Sequence, residues 1–117
     1  MKNPSKKTLR NKLDKIVSEI VRARGYCVRC TRTEHLQAAH IFSRSNMATR
    51  FYLNNILCLC PDCHINFAHK NPILFTEWVK KFLGDEKYEE LKVRAASIRK
   101  WELWELEDLY RKFSEIK

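Results

Sequence analysis

The strongest structural signal in the chain is the stretch NILCLCPDCH, residues 55–64. It contains a Cys-x-x-Cys pair, Cys60 and Cys63, and a second pair, Cys27 and Cys30, lies upstream. Two such pairs at this kind of spacing are typical of a zinc site. Each pair directs two thiolates towards one point, and four thiolates complete a tetrahedral zinc centre. We therefore expect a closed, structural Zn²⁺ site that joins the two ends of the central segment and contributes folding energy.

A fifth cysteine, Cys58, lies two residues before Cys60. We expect the side chains of Cys58 and Cys60 to point to opposite faces. Cys58 is therefore expected to be a buried thiol. The alternative is that Cys58 replaces Cys60 as the fourth ligand.

Two histidines and an asparagine accompany the cysteines. His40 lies between the two pairs, so zinc binding would fold its segment against that of His64. His64 directly follows Cys63, where a helix is expected to begin, and Asn55 lies on the segment that would face His40. The alternative for a lone histidine on an apolar strand is a packed core residue.

This constellation resembles the HNH endonucleases of the ββα-metal fold. The resemblance is carried by Cys27-x-x-Cys30, Ala39-His40-Ile41 and the N-x4-C-x-x-C-H spacing from Asn55 to His64. Within that family the chain is most similar to the phage recombination nucleases called NinG or Rap. That narrower similarity uses Leu13-Asp14-Lys15, Ser43-Arg44 and Arg50-Phe51.

The resemblance implies a metal-dependent DNA endonuclease that hydrolyses phosphodiester bonds. Nothing in the chain looks like a recognition helix, so we expect weak sequence specificity. His40 would be the general base, Asn55 would orient it through a side-chain or backbone hydrogen bond, and His64 would bind a catalytic Mg²⁺ or Mn²⁺ ion. We expect double-stranded or branched DNA as the partner. The NinG similarity further implies a preference for branched or single-stranded DNA and a role in phage recombination.

One residue departs from the family pattern. Many HNH nucleases have Asp or His directly before the general base, as a second metal ligand, and this chain has Ala39. His69 and Asn66 are the alternatives for completing the centre. On an α-helix His69 would lie about 140° round the axis from His64. We expect His69 to be structural near a helix end, and His35 to be solvated.

The charge balance favours a polyanionic partner. The chain has 23 Lys and Arg against 14 Asp and Glu, which gives a net charge of +9, and such a surplus is typical of nucleic-acid binding. Arg44 and Arg50 flank the expected site and could each bind a DNA phosphate. A salt bridge or a solvated loop is the alternative for both.

The longest uncharged run, residues 51–61, is too short to span a bilayer. We therefore expect no membrane association and a cytoplasmic location in a bacterial or phage-infected cell.

We expect one α+β domain over residues 1–117, with a small zinc-stapled ββα-metal core. A basic N-terminal helix would occupy 1–24, the zinc and HNH core 25–70, and a helical extension 71–117. A strand-prone piece is also expected at 26–28. Further expectations concern helix ends and faces: a helical start near Thr8, a helix from Pro72 to Gly84, a helix capped by Asp85, and an apolar face containing Trp101, Trp104, Leu109, Phe113 and Ile116.

Two other functions fit the same residues. A zinc-stabilised nucleic-acid-binding module without catalytic activity is the first, and Ala39 is its main support. A protein-interaction domain is the second, supported by the aromatic-rich C-terminal helices. The apolar faces of those helices also make a homodimer conceivable.

Overall fold

The computed structural model describes residues 5–116. Its elements are α1 (Lys6–Arg22), β1 (Gln37–His40), β2 (Ile56–Leu59), a π-helical segment (Asp62–His69), α2 (Pro72–Leu83), α3 (Asp85–Ala96) and α4 (Leu103–Ile116). The two strands form one antiparallel sheet, and the π-helical segment follows the second strand directly. This order confirms the expected α+β class, with a ββα core and a helical extension. Residues 1–4 and 117 of the expected domain lie outside the described part.

The sheet separates two hydrophobic cores. In its register Gln37 lies opposite Leu59 and His40 opposite Ile56, and alternate side chains face opposite sides. Cys58 packs in the core formed with α1 and α4. Ala39, Leu57 and Leu59 pack in the core that holds the four other cysteines and α2. The sheet therefore lies between a helical layer and a zinc-site layer.

Helix α1 carries its apolar residues on one face, as the helical spacing predicts. Its buried residues are Leu9, Leu13, Ile16, Val17 and Val21. The helix begins at Lys6 rather than near Thr8, because Ser5 caps it: the Ser5 Oγ accepts a hydrogen bond from the Thr8 amide at 3.1 Å.

The piece at 26–28 forms no strand, so that expectation was wrong. The Cys27 amide donates to the Arg32 carbonyl at 2.7 Å and the Val28 amide to the Cys58 carbonyl at 3.0 Å. These bonds fold the segment into a tight turn against β2. The turn presents its thiols to the second cysteine pair, which an extended strand would not do.

The C-terminal helices follow the predicted boundaries but not all of the predicted faces. Pro72 begins α2 and Gly84, at φ +86°, ends it. Gly84 also precedes α3, so Asp85 is its first residue rather than its cap. Leu106 and Phe113 are the buried residues of α4, whereas Trp104 is 68% and Ile116 63% exposed. Residues two positions apart on an α-helix lie about 200° apart around its axis. Trp104 therefore points away from the side on which Leu106 is buried.

Among residues 5–116 no helix has the length and apolar content needed to cross a bilayer.

Candidate metal centre and active site

The four cysteines of the two Cys-x-x-Cys pairs converge on one point. Cys27 and Cys30 come from the turn after α1, Cys60 follows the end of β2, and Cys63 lies in the first turn of the π-helical segment. Their Sγ atoms all lie within 4.8 Å of one another, and none forms a disulfide. Thiolates bound tetrahedrally to zinc at about 2.3 Å stand about 3.8 Å apart. The cluster therefore fits a structural zinc ion.

The surroundings of the cluster provide hydrogen-bond donors for sulfur. Burial opposes ionisation of Cys27, but hydrogen bonds from the backbone of Cys60, Cys30 and Arg29 outweigh it and lower the pKa of Cys27 to about 7. Burial raises the pKa of Cys63 to about 12, even though the Arg29 guanidinium donates to its Sγ at 3.4 Å. Metal binding must then displace protons from the buried thiols.

Cys58 lies outside this cluster. It is fully buried and packs on the α1 side of the sheet, whereas Cys60 packs on the zinc side. Burial raises the pKa of Cys58. Cys58 and Cys60 do lie on opposite sides of the sheet, but strand alternation is not the reason, because it puts residues two apart on the same face. β2 ends at Leu59, so Cys60 lies beyond the strand and joins the converging thiols, whereas Cys58 does not.

His40 ends β1 and faces a small cavity against α1. The cavity has a volume of about 110 Å³ and is lined by Asp14, Val17, Ser18, Ala38, His40, Arg44 and Arg50. The Nε2 atom of His40 lies 3.0 Å from the Arg50 carbonyl oxygen. A carbonyl only accepts hydrogen bonds, so Nε2 carries the proton and Nδ1 keeps its lone pair. Burial lowers the pKa of His40, which favours the neutral imidazole.

Asn55 holds the backbone around His40. Its side chain is fully buried, accepts from the Phe42 amide at 2.8 Å and donates to the carbonyls of Phe42 and Thr49 at 3.0 and 3.2 Å. Its own carbonyl accepts from the Ile41 amide at 2.8 Å. The side-chain bonds of Asn55 therefore join the two ends of the loop at 42–49, which follows His40.

His64 lies on the π-helical segment beside a residue that sequence reasoning missed. Its Nδ1 is 2.7 Å from the Gln37 Oε1. Gln37 lies two residues before Ala39, so both side chains face the same side of β1. That alternation was visible in the sequence, but the partner of Gln37 was not.

The ring of His69 also reaches His64. The two ring centroids are 4.5 Å apart, with planes at 65°. The α-helical expectation of 140° was wrong because this segment is π-helical. Its i→i+5 hydrogen bonds bring residues five apart onto one side. Asn66, the other alternative, instead donates to Asp62 at 2.8 Å.

The electrostatics of His64 reflect this crowding. Burial lowers the pKa of His64, and the charges of His69 and His40 lower it further. His64 is therefore held in the neutral form that binds metal ions. Ala39, which is only 1% exposed, has no side-chain atom that could bind a metal ion.

The two arginines near His40 have different surroundings. Arg50 forms a bidentate pair with Asp14, at 3.0 Å from Nε to Oδ1 and 2.6 Å from Nη2 to Oδ2. Arg44 is exposed, and its guanidinium has no hydrogen-bond or ion-pair partner within residues 5–116. Both guanidinium charges lower the pKa of His40, so both act on the cavity.

Residues 27–71 match the family model of HNH endonucleases. The matched HNH segment contains both cysteine pairs, His40, Asn55 and His64, and it ends two residues after His69. All four α-helices lie outside the matched residues, because α1 ends at Arg22 and α2 begins at Pro72. No curated protein and no solved structure matches the chain. Over residues 27–71 the chain is therefore similar to HNH endonucleases.

Proposed function

We propose that this protein is a metal-dependent DNA endonuclease that hydrolyses phosphodiester bonds. The observation that carries the proposal is the setting of His40. Its Nε2 is bonded to the Arg50 carbonyl, and its cavity also contains Arg44. A neutral imidazole with a free nitrogen can act as a general base, and the neighbouring guanidinium can bind the phosphate of a phosphodiester.

In the proposed reaction Nδ1 of His40 takes a proton from the attacking water. The Arg50 carbonyl keeps the proton on Nε2, and Asn55 holds the loop that carries this carbonyl through its bonds to Phe42 and Thr49. The exposed Arg44 binds the phosphate next to the cleaved bond. Arg50 adds positive charge to the cavity but is already paired with Asp14.

His64 would hold the catalytic divalent ion, Mg²⁺ or Mn²⁺. When bound, such an ion supplies Lewis-acid stabilisation of the negative charge that develops on the phosphodiester. The imidazole of His64 is a suitable donor because its lowered pKa keeps it neutral. The four-cysteine cluster would hold Zn²⁺ in a separate, structural role.

The substrate in this proposal is double-stranded or branched DNA, bound through its phosphates. The net charge of +9 supports a polyanionic partner. Phosphate contacts bind the backbone without reading sequence, so sequence preference should be weak. Branched DNA and phage recombination extend the NinG similarity. A homodimer for two-sided cleavage would use the apolar groups that α4 leaves exposed, such as Trp104 and Ile116.

Nicking of supercoiled plasmid, in parallel with cleavage of a branched junction, tests the proposal. We expect cleavage with Mg²⁺ or Mn²⁺, none with EDTA, and a loss of about 10²–10⁴-fold in His40→Ala. The matched control is His35→Asn, which removes an exposed histidine and suits the φ of +54° at that position. Both variants should keep zinc and DNA affinity, and an active His40→Ala would refute the proposed base.

The second candidate is a zinc-stabilised nucleic-acid-binding module. It is favoured by Ala39, which occupies the ligand position with a side chain that cannot bind metal. Salt-dependent DNA binding by zinc-loaded protein, with no cleavage under any divalent ion, would establish this function in place of the first.

A further inference from the structure

Two side chains contact His64: Gln37 on β1 and His69 on the π-helical segment itself. Ala39 supplies no metal ligand here, so these contacts are the ones to consider. We propose that His69 supplies the second nitrogen ligand of the divalent-ion centre, and that Gln37 is a positioning residue that orients His64 towards it. This inference rests on the proposed function, since it completes the centre used there.

The separation of the two imidazoles suits a shared ion. A metal–nitrogen bond to histidine is about 2.1 Å, and the ring centre lies about 1.1 Å beyond the nitrogen, so it stands about 3.2 Å from the ion. Two imidazoles in adjacent coordination positions then have centroids about 4.5–5 Å apart. The observed separation of the His64 and His69 rings is 4.5 Å.

The exposure of His69 is consistent with a ligand rather than a core residue. Its side chain is exposed, while that of His64 is half-buried. An ion held between them would therefore be open on one side to water and to a DNA phosphate. The π-helical turn is what brings the two rings together.

Gln37 determines which nitrogen of His64 faces the ion. The Gln37 Oε1 lies 2.7 Å from Nδ1 and accepts a hydrogen bond, so Nδ1 carries the proton and Nε2 has the free lone pair. A partner of this kind orients a ligating histidine and fixes its tautomer. Gln37 is itself held in β1, opposite Leu59.

This donor set has a preference among ions. Imidazole suits borderline transition-metal ions, whereas Mg²⁺ prefers oxygen ligands. A centre with two imidazoles should therefore bind Mn²⁺, Co²⁺ or Ni²⁺ more tightly than Mg²⁺. With His64 alone the difference would be smaller.

Mn²⁺ binding to the zinc-loaded full chain tests the inference without any need for cleavage. Free Mn²⁺ is counted by electron paramagnetic resonance, with and without a short DNA duplex, and pulsed methods detect the ¹⁴N couplings of bound imidazoles. We expect one Mn²⁺ and two coupled imidazoles in the wild type. His69→Ala should leave one coupled imidazole and weaken affinity at least 10-fold, and His35→Asn should change neither.

Gln37 has its own pair of variants. Gln37→Ala should weaken Mn²⁺ affinity about 10–100-fold, and Gln37→Glu should restore it because the carboxylate still accepts from Nδ1. A purely structural role would instead lower the melting temperature of Gln37→Ala and leave Mn²⁺ affinity unchanged, which would overturn the positioning role.

The outcomes separate this inference from the proposed function. One coupled imidazole in the wild type, unchanged affinity in His69→Ala, or no bound Mn²⁺ with or without DNA would each overturn the inference. Two coupled imidazoles in a protein that never cleaves DNA would support the inference and refute the nuclease. If His69→Ala loses zinc or unfolds, His69→Gln replaces it, because it keeps size and polarity.

Discussion

Burial and charge act on the imidazole of His40 in opposing directions. Burial has the largest effect and lowers its pKa, and the positive charges of Arg44 and Arg50 lower it as well. The hydrogen bond to the Arg50 carbonyl and the negative charge of Asp14 raise it. The net result is a pKa below the ordinary value of 6.5. His40 is therefore already a neutral base at neutral pH.

This predicts the pH dependence of cleavage. Activity should rise as His40 loses its proton, with a midpoint below pH 6.5, and it should be level at neutral pH. Arg44→Gln removes a positive charge near the ring and should move the midpoint to higher pH. Single-turnover rates at saturating Mn²⁺ measure both profiles, and a midpoint above 6.5 in the wild type would contradict this account.

The two arginines should respond differently to removal. Arg50→Ala leaves the half-buried Asp14 without its partner, and we expect a loss of about 1–3 kcal/mol of unfolding free energy. Arg44→Ala breaks no ion pair and should leave stability within about 0.5 kcal/mol. It should lower the slope of log binding constant against log salt concentration by about one, because one phosphate contact is lost. Urea unfolding and binding at several salt concentrations check both, and equal destabilisation would argue against this division of roles.

At the scale of elements, α4 shows which face of an amphipathic helix becomes buried. Leu106 is fully buried with α1 in one core, and Trp104 lies two residues away on the open side. Sequence reasoning had placed Trp104 with the core because large aromatic residues usually pack there. The side that packs is set by the position of α1.

The same pair of residues provides a prediction. Leu106→Ala should cost about 2–5 kcal/mol of unfolding free energy, because it removes buried methyl groups and leaves a cavity. Trp104→Ala should cost under about 0.5 kcal/mol although it removes a larger side chain. Denaturant unfolding with a constant m-value measures both, and the reverse order would show that α4 packs through its other face.

At the scale of the whole molecule, the zinc cluster holds one of the two cores. Cys27, Cys60 and Cys63 are part of the core on the far side of the sheet from α1. That core also fixes the start of the π-helical segment. A zinc ion at this point would therefore position His64 as well as stabilise the fold.

Cysteine substitution tests this role. Cys63→Ser should lose zinc and lower the melting temperature strongly, since a structural zinc ion contributes its binding energy to folding. Cys58→Ala is the matched control, because that thiol is buried outside the cluster. It should keep one zinc per chain and lose little stability. Metal analysis with thermal unfolding decides, and full zinc content in Cys63→Ser would exclude the four-thiolate site.

Much of the fold could be read from particular residues. The two Cys-x-x-Cys pairs predicted their own convergence, since one zinc ion needs four ligands and each pair supplies two. The apolar spacing of α1 and the boundaries at Pro72 and Gly84 were equally local. The turn at 26–28 was misread as a strand because its hydrogen bonds go to Cys58, a partner that composition does not identify.

The sequence by itself thus determined the main helices and the residue types of the candidate site, which depend on neighbours along the chain. It also determined the cysteine cluster, because one zinc ion needs four ligands and each Cys-x-x-Cys pair supplies two. Only the tertiary structure decided the pairing of Arg50 with Asp14, the bond from Gln37 to His64 and the contact of His69 with His64. The first two join residues far apart in sequence. The third depends on a π-helical turn that the side-chain pattern does not distinguish from an α-helix. Such contacts follow from how the elements pack, and packing is a property of the whole chain.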